Sequence, residues 1–304
     1  MKKSEKIWMD GKLVAWDEAN VHVLTHTLHY GLGAFEGIRC YATDGGGSAI
    51  FRLGEHTKRF FESAKILQID IPYSEAEVDK ATVDIIKANK LEECYIRSLV
   101  FLGDGAMGIF PKDNPVRVAL AAWEWGAYLG EDGLSNGIRA KVSSFARHHV
   151  NSAMTKSKTT GAYFNSILSK REVVSAGYDE AIMLDTDGYV SEASGENIFM
   201  VKNGRIKTTS LTSILKGITR DSVMRIAADL EIEVTEQRFT RDELYTADEV
   251  FLTGTAAEVT PVREIDDRKI GAGKRGPITE RIQKIYFDAV KGRAPQYESW
   301  LTRI

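Results

Sequence analysis

The segment with the clearest potential for chemistry surrounds two lysines, Lys156 and Lys158. Small hydroxyl residues flank both, and the phenol of Tyr163 follows shortly after Lys158. A buried lysine loses its charge readily, and a neutral amine can bond covalently to an aldehyde. The alternative is a pair of exposed lysines in a polar loop. Composition does not decide which of the two amines would react.

Two other turns have the composition of anion sites. Residues 217–221 read Gly-Ile-Thr-Arg-Asp and open a predicted helix, whose N-terminus would offer free N–H groups and a partial positive charge. Residues 253–255 read Thr-Gly-Thr after an apolar strand candidate, and such a turn can point main-chain N–H groups at an anion. Most single turns of this kind are ordinary helix caps or tight connections, and the two together are more informative about a phosphate site than either alone.

A bend at residues 191–197 carries two carboxylates, Glu192 and Glu196. One of them could face a cleft and pair with a ring nitrogen, whereas the alternative is two solvated carboxylates in a turn. Neither a GxSxG elbow nor a P-loop is present in the sequence, so esterase and nucleotide hydrolase activities have no support.

Three histidines, His22, His26 and His29, have the i, i+4, i+7 spacing of one helical face. That pattern resembles a metal patch. However, no acidic residue stands at ligand spacing and the local sequence is otherwise apolar. The favoured interpretation is packed or hydrogen-bonded imidazoles, and no metal is predicted.

The elements that must position these residues mix strands and helices without a steady βαβ rhythm, which favours an α+β fold. Asp10-Gly11, Asp187-Gly188 and Asn203-Gly204 predict hairpins over 5–16, 180–193 and 196–208. Further strands are expected at 37–41, 49–52, 95–101, 116–123, 138–144, 234–238 and 249–253. Helices are expected at 54–67, 75–90, 161–175, 219–230 and 277–290.

The domain organisation follows from a glycine-rich stretch near residues 126–137. We expect a small N-terminal α/β domain over 1–126, a linker over 127–137 and a larger C-terminal cofactor-binding domain over 138–304. A cleft between two such domains would be a natural ligand site.

Bulk properties exclude several classes of protein. The chain has 304 residues, 43% of them hydrophobic, and a net charge of −3, so no basic surface would recruit nucleic acid or acidic lipid. No apolar run approaches the roughly 20 residues that span a bilayer. The first nine residues lack the apolar stretch of a secretory signal, and the two cysteines do not form a disulfide framework. A cytoplasmic protein is expected.

Taken in order, these segments resemble the fold-type IV pyridoxal phosphate enzymes, and most closely their branched-chain amino acid aminotransferases. The resemblance spans nearly the whole chain. The matching residues are His29-Tyr30-Gly31, Phe35-Glu36-Gly37-Ile38-Arg39, Glu55-His56 with Arg59, Tyr95-Ile96-Arg97, Lys158 with Gly161 and Tyr163, Tyr189-Val190-Ser191-Glu192, Gly195-Glu196-Asn197-Ile198-Phe199, Gly217-Ile218-Thr219-Arg220 and Gly254-Thr255-Ala256.

The resemblance implies roles for the cofactor-binding residues. It selects Lys158 over Lys156 as the catalytic lysine that holds pyridoxal 5′-phosphate and then moves the substrate proton. Glu192 would bond the pyridine nitrogen and Tyr163 the phenolic oxygen. The phosphate would be bound by Arg59, Ile218, Thr219 and Thr255. Residues 159–160 are both threonine, where many relatives carry more glycine, and this departure removes no functional group.

The resemblance also implies a substrate pocket that must accept an apolar side chain in one half-reaction and glutamate in the other. An apolar wall would comprise Phe35, Gly37, Trp125 and Tyr128, while Tyr30 and Arg97 would meet the distal carboxylate of glutamate. Tyr95, Thr255 and Ala256 would hold the α-carboxylate. Met107 and Ile109 would come from a neighbouring subunit, which implies a homodimer or a higher homo-oligomer.

Three functions therefore compete. The first is transamination of leucine, isoleucine or valine with 2-oxoglutarate. The second, on the same fold, is D-amino acid aminotransfer or cleavage of aminodeoxychorismate, against which the substrate-side segments FEGIRCY and YIR argue. The third is a binding or scaffold protein without chemistry, which the joint presence of Lys158, Glu192 and Arg59 disfavours.

Overall fold

The structure is a computed structural model and describes residues 2–126 and 128–304. Contacts between residues divide these described residues into two units. The first contains the described part of Met1–Trp125 together with Ser157–Tyr163 and Ala289–Ile304. The second contains the described part of Gly126–Lys156 together with Phe164–Asp288.

The first unit is built on a sheet with seven strands among its described residues. Their bounds are β1 (Lys6–Met9), β2 (Lys12–Ala15), β3 (Gly33–Ala42), β4 (Ser48–Phe51), β5 (Cys94–Leu102), β6 (Val116–Trp123) and a C-terminal strand (Leu301–Arg303). The order across the sheet is C-terminal strand, β4, β3, β5, β6, β1, β2. The long central strand β3 is buried over nearly its whole length, so it can present side chains to the interior on both faces.

The helices of the first unit are α1 (His26–Tyr30), α2 (Leu53–Ile66) and α3 (Glu75–Ala88). Helix α3 begins at a capping box, in which the hydroxyl of Ser74 accepts from the N–H of Glu77 and the Glu77 side chain accepts from the N–H of Ser74. Apolar residues of α2 and α3 join those of β3, β5 and β6 in one core. Short 3₁₀ helices cover Trp16–Glu18 and Pro295–Trp300.

The second unit contains a sheet of nine strands among its described residues. They are β7 (Ile138–Val142), β8 (Glu180–Leu184), β9 (Val190–Ala193), β10 (Asn197–Lys202), β11 (Arg205–Thr208), β12 (Val234–Glu236), β13 (Glu249–Gly254), β14 (Glu258–Ile265) and β15 (Arg268–Lys269). Eight follow the order β12, β11, β10, β13, β14, β7, β8, β9, and β15 pairs with β14. The inner faces of β10, β13 and β14 contribute to the core.

The helices that begin after Ala127 are α4 (Glu131–Asn136), α5 (Tyr163–Ser175), α6 (Ile218–Asp229), α7 (Arg241–Tyr245) and α8 (Pro277–Val290). Helix α8 has a buried cap, because the carboxylate of Glu249 accepts from the N–H groups of Ile278 and Thr279 at 2.9 and 2.7 Å. No helix of the described part of the chain is long and apolar enough to cross a membrane.

The predicted α+β fold and its principal helices and strands are confirmed, with local differences. Asp10-Gly11 and Asn203-Gly204 close two-residue hairpins, and all four residues have positive φ. The prediction of a two-residue turn at Asp187-Gly188 is wrong. There the carboxylate of Asp185 accepts from two N–H groups further along the loop, which stabilises a longer connection between Leu184 and Val190.

Strand β14 is absent from the sequence prediction. Pro261 lies in its middle, and a proline argues against an inner strand because it cannot donate to the ladder. Here the antiparallel ladder with β13 runs past Pro261, while the pairing with β7 starts only at Val262. Among the described residues, the strand has at Pro261 no partner on the β7 side that would need a main-chain N–H, so β14 tolerates a proline there.

The two units differ from the continuous domains that the sequence predicts. Residues 157–163 and 289–304 belong to the first unit, because Thr159 bridges Ala34 and the C-terminal strand pairs with β4. Ala127, the first residue of the predicted 127–137 linker, lies outside the described residues. The described remainder includes α4 and belongs to the second unit. The ranges 1–126 and 138–304 stay a prediction.

Candidate active site

The chain around Lys158 is fixed by main-chain hydrogen bonds to the first unit. The N–H of Lys158 donates to the hydroxyl of Ser63 at 3.0 Å, and the carbonyl of Lys158 accepts from the N–H of Phe35 at 3.0 Å. Thr160 donates its N–H to the carbonyl of Gly33 at 2.9 Å. These bonds hold the segment 157–160 against α2 and β3, so the direction of the Lys158 side chain is set by regular structure.

The amine of Lys158 lies in aromatic surroundings. Its nitrogen donates to the phenol oxygen of Tyr163 at 2.5 Å and lies 5.0 Å from the ring centroid of Phe35. The rings of Phe35 and Tyr163 meet edge to face, with centroids 4.8 Å apart. An amine that is only partly exposed and has a phenol as its partner is arranged to act as a nucleophile and to exchange a proton.

A buried charge cluster on β3 and α2 stands beside this amine. The carboxylate of Glu36 is fully buried and accepts from Arg59 through Nε at 2.7 Å and Nη2 at 2.9 Å. It also accepts from Nδ1 of the buried His56 at 2.8 Å. A bidentate pair of this kind fixes the plane of the guanidinium as well as its position.

The cluster shifts the pKa values of all three members. Burial alone would raise the pKa of Glu36, but the charge of Arg59 and the hydrogen bonds from His56 and Arg59 outweigh it and hold that pKa far below its usual range. Burial lowers the pKa of His56 despite the hydrogen bond to Glu36. Burial would lower the pKa of Arg59, but the charge and hydrogen bonds of Glu36 raise it. Glu36 and Arg59 are therefore ionised and His56 is neutral at pH 7.

Tyr95 and Arg97 project from β5 beside β3. Arg97 Nη2 donates to the phenol oxygen of Tyr95 at 3.3 Å, and its guanidinium lies 4.6 Å from the centroid of the Phe35 ring. The ring of Trp125 meets Tyr95 edge to face at 4.5 Å. A Cβ atom on Gly37 would lie 1.9 Å from the Tyr95 oxygen, so only glycine leaves room for that phenol. The first unit thus brings Phe35, Gly37, Tyr95, Arg97 and Trp125 together, and their role in substrate binding stays a prediction.

Three predicted substrate residues of the first unit have exposed side chains. Tyr30 is 46% exposed and stacks on His26, whose Nε2 hydrogen bonds the carbonyl of Gly108 at 2.7 Å. Met107 and Ile109 lie in the loop between β5 and β6 and are 43% and 95% exposed. At 95% exposure, packing within the described part of its own chain does not explain the position of Ile109.

The three histidines near α1 bond to the main chain. His26 contacts Gly108 as described, His29 Nε2 bonds the carbonyl of Val23 at 2.8 Å, and His22 Nδ1 accepts from the N–H of Leu24 at 3.1 Å. Helix α1 starts at His26, so His22 lies outside it. Among residues 2–126 and 128–304, no group of three or more His, Cys, Asp or Glu side chains could hold a metal ion.

In the second unit, the carboxylate of Glu192 is buried in a network of donors. Its Oε1 accepts from Nε of Arg147 at 2.8 Å. Its Oε2 accepts from Nδ2 of Asn197 and from the N–H of Leu215, both at 3.3 Å. Glu192 is 5% exposed and Arg147 9%. A carboxylate has about four lone-pair sites, so one that is held by a guanidinium and two amides can accept a further N–H donor.

The N-terminus of α6 is the helix start at which the sequence predicts an anion site. Ile218 and Thr219 are buried in its first turn, and the residue that precedes them, Gly217, has no side chain with which to cap the helix. The first N–H groups of a helix lack intrahelical acceptors, so a helix start of this kind is suited to an anion. Thr255 and Ala256 lie in the turn that joins β13 to β14 and are partly exposed.

Tyr128, the remaining residue of the predicted apolar wall, lies in the second unit. It is 39% exposed, and its ring centroid lies 5.5 Å from the amine of Lys170. Its assignment to the substrate pocket stays a prediction.

The amine of Lys156 has a different role from that of Lys158. It donates to the main-chain carbonyls of Leu211 and Ile214, the latter at 2.7 Å. Burial lowers its pKa, the charge of Glu192 opposes that effect, and the charge of Arg220 adds to it. Its two hydrogen bonds thus tie the amine of Lys156 to main-chain oxygens of the second unit.

Two residues in these networks have no role assigned from the sequence. Glu36 lies inside a recognised motif, but its role depends on Arg59, more than twenty residues away, and only the fold shows that pairing. Arg147 gives no sequence signal, because it stands among histidines in a segment with no regular pattern. The expectation that a buried Glu192 needs a basic partner is the signal that points to a residue such as Arg147.

The chain belongs to the class IV aminotransferase family, since the family model for amino-transferase class IV matches residues 33–265. A branched-chain-amino-acid aminotransferase of Pseudomonas aeruginosa is 54% identical over 298 residues, covering 98% of this chain and 97% of the relative. The crystal structure of a T.th. branched-chain amino acid aminotransferase with pyridoxamine 5′-phosphate is 52% identical, with a TM-score of 0.96 over 100% of this chain and 99% of that one. The same T.th. enzyme complexed with N-(5′-phosphopyridoxyl)-L-glutamate gives 51% identity and a TM-score of 0.95, again over 100% and 99%.

Proposed function

We propose that this chain transaminates the L-branched-chain amino acids leucine, isoleucine and valine with 2-oxoglutarate, using pyridoxal phosphate bound to Lys158. The observation that carries the proposal is the amine of Lys158, held among aromatic rings 2.5 Å from the phenol of Tyr163. The similarity to branched-chain aminotransferases over the full chain supports the substrate class. The glutamate adduct of the T.th. relative supports glutamate as the second amino acid.

The residues of this chain fit the cofactor by their chemistry. Pyridoxal phosphate supplies an aldehyde for an amine, a ring that accepts electrons and a dianionic phosphate. The buried first turn of α6, with Ile218 and Thr219, suits the phosphate, as do Arg59 and Thr255. Glu192 is a buried carboxylate ready for a ring N–H donor, and Tyr163 would donate to the phenolic oxygen.

Each of these side chains has a task in the reaction. Lys158 would carry the proton between the substrate α-carbon and the cofactor carbon to which the amine was attached. Glu192, which is paired with Arg147, would hold the proton on the ring nitrogen and so favour loss of the α-proton. The phenol of Tyr163 would keep the Lys158 amine in reach.

The substrate pocket would combine apolar and polar groups. Phe35, Gly37, Trp125 and Tyr128 would accept the branched side chain, and Tyr30 and Arg97 would meet the distal carboxylate of glutamate. Tyr95 with the N–H groups of Thr255 and Ala256 would bind the α-carboxylate. The contact between Arg97 and the Phe35 ring supports this dual use, because one guanidinium can bind a carboxylate and also cover an aromatic wall.

We also propose that the working form is a homodimer or a higher homo-oligomer. The exposed side chains of Met107 and Ile109 would enter the site of a neighbouring copy, which would bury these apolar groups. The enzyme would act in the cytoplasm on small-molecule substrates, without nucleic acid or membrane partners.

The test is a stopped-flow half-reaction of the holoenzyme with a panel of L- and D-amino acids, read from the cofactor absorbance. We expect L-leucine, L-isoleucine, L-valine and L-glutamate to convert the cofactor rapidly, and their D-isomers not to. The matched control is Lys158→Ala, which should lack the visible band. Faster conversion by D-alanine or D-glutamate than by the L-branched-chain acids would overturn the proposal.

A further inference from the structure

Lys156 stands two residues before the proposed cofactor lysine, but its amine is bound within the second unit. It donates to the carbonyls of Leu211 and Ile214, in the connection that joins β11 to α6. Residues 209–217 form turns without a ladder of their own. Such a connection depends on side-chain hydrogen bonds for its shape. The ammonium of Lys156 therefore ties together two points of an otherwise irregular segment.

Leu215, which directly follows Ile214, is in contact with Glu192. Leu215 donates its N–H to Glu192 Oε2 at 3.3 Å, and its carbonyl accepts from Asn197 Nδ2 at 3.0 Å. The same amide nitrogen of Asn197 donates to Glu192 Oε2 at 3.3 Å. The position of these two donors to Oε2 thus depends on where the main chain of Leu215 lies. The other oxygen is held separately by Arg147.

These contacts form a continuous path from the amine of Lys156 to one oxygen of Glu192. If the segment moved, Oε2 would lose these two donors, and the orientation of the carboxylate would change. A shift of that kind matters at a reacting centre, because small displacements of a positioned group reduce rates strongly. Residue 156 contacts this segment at main-chain carbonyls, which are acceptors. Its influence on Glu192 therefore depends on the N–H donors that its side chain carries.

We propose that Lys156 is a positioning residue for Glu192, which it orients by fixing the segment 211–215 through two main-chain carbonyls. The inference rests on the proposed function, in which Glu192 holds the proton on the cofactor ring nitrogen. A long side chain with at least two donors is required at position 156. Arginine meets that need in part, since its planar group also offers several N–H donors, whereas methionine offers none.

The test is a double-mutant cycle on the holoenzyme, measuring turnover of L-leucine with 2-oxoglutarate. Lys156→Met should lower kcat about 10-fold and change the KM for leucine by less than about two-fold, because the displaced group acts after binding. In a Glu192→Gln background, the same change should cost less than about two-fold. Lys156→Arg should recover most of kcat. The matched control is Lys207→Met, which removes an ion pair with Glu243 in the same unit.

A second readout does not depend on activity. Hydrogen exchange of the peptide amides over 211–216 should be faster in Lys156→Met than in the parent, and unchanged in Lys207→Met. If Lys156→Met does not fold, Lys156→Gln, which keeps one amide donor group, replaces it in both measurements with smaller effects in the same direction.

The outcomes distinguish failure of the positioning role from failure of the proposed function. Equal losses of kcat in the two backgrounds, or unchanged exchange over 211–216, would overturn the positioning role and leave the proposed function intact. Loss of the visible cofactor band in Lys156→Met, with the band kept in Lys158→Ala, would overturn the assignment of the cofactor lysine and with it the proposed function.

Discussion

The amine nitrogen of Lys158 and the phenol oxygen of Tyr163 lie 2.5 Å apart at the two ends of one short segment. The main chain of that segment is fixed to α2 and β3 by Ser63, Phe35 and Gly33. The pair therefore needs little rearrangement to act together. Both groups can donate and accept a proton, as a site that moves an α-proton requires.

Tyr163→Phe should lower kcat for leucine about 5- to 10-fold, because one hydrogen bond worth roughly 1 to 1.5 kcal/mol is removed at the proposed cofactor amine of Lys158. The phenyl ring keeps the edge contact with Phe35, so the fold and the KM should change little. Steady-state kinetics measure both values. Tyr178→Phe, which alters a tyrosine of the second unit, is the control, and an equal loss in that variant would show that the effect is not local.

Arg97→Ala should impair glutamate more than leucine. The guanidinium would provide a charge-assisted hydrogen bond to the distal carboxylate, typically worth about 1.5 to 3 kcal/mol, so kcat/KM for glutamate should fall roughly 10- to 100-fold further than for leucine. Arg117→Ala, on the neighbouring strand and paired with Asp10, is the matched control. Equal losses for the two substrates would contradict a dual-purpose pocket.

Gly37→Ala should displace the phenol of Tyr95, because the new methyl carbon would lie 1.9 Å from its oxygen. We expect a loss of about 1 to 3 kcal/mol in the free energy of unfolding and lower kcat/KM for leucine and glutamate alike. Denaturant titration and kinetics check the two effects. Gly45→Ala, where an added carbon meets nothing within 4 Å among the described residues, should be nearly neutral.

Glu36→Gln should destabilise the first unit by about 3 kcal/mol at pH 7, since it removes the carboxylate charge that the buried guanidinium of Arg59 contacts at 2.7 and 2.9 Å. The folded-state pKa of Glu36 is depressed below the ordinary 4.5, so its contribution to stability is complete above that pH and is lost as the pH falls. The free energy of unfolding should therefore drop less steeply in the variant than in the parent from about pH 5 to about pH 3. Glu55→Gln, which alters an exposed partner of Arg52, serves as control. Parallel pH profiles for Glu36→Gln and the parent would argue against the depressed pKa.

Much of the fold followed from local patterns. The turns at Asp10-Gly11 and Asn203-Gly204 are short-range signals, and the structure contains both as two-residue hairpins, whereas the connection at Asp187-Gly188 is longer than predicted. The strand β14 did not follow, because Pro261 breaks the local rule and only the late start of pairing with β7 makes it acceptable. The membership of 157–163 and 289–304 in the first unit also depends on long-range pairing that no local pattern encodes.

In the candidate site too, local motifs could be predicted from the sequence and long-range contacts could not. Motif order selected Lys158, Tyr163, Arg59 and Glu192, because each lies in a recognisable segment. The partners that set their charge and direction, Glu36 for Arg59 and Arg147 for Glu192, lie 23 and 45 positions away in the chain. Similarly, the sequence did not predict the contacts of Lys156 with main-chain carbonyls, since those carbonyls are more than fifty residues further along the chain.

The most direct test of the central claim is to reduce the holoenzyme with borohydride, digest it and locate the phosphopyridoxyl group by mass spectrometry. We expect the group on the side chain of Lys158, with Lys156 unmodified and the modification absent from Lys158→Ala. A phosphopyridoxyl group on Lys156, or its persistence at another lysine with full turnover in Lys158→Ala, would contradict the assignment of Lys158.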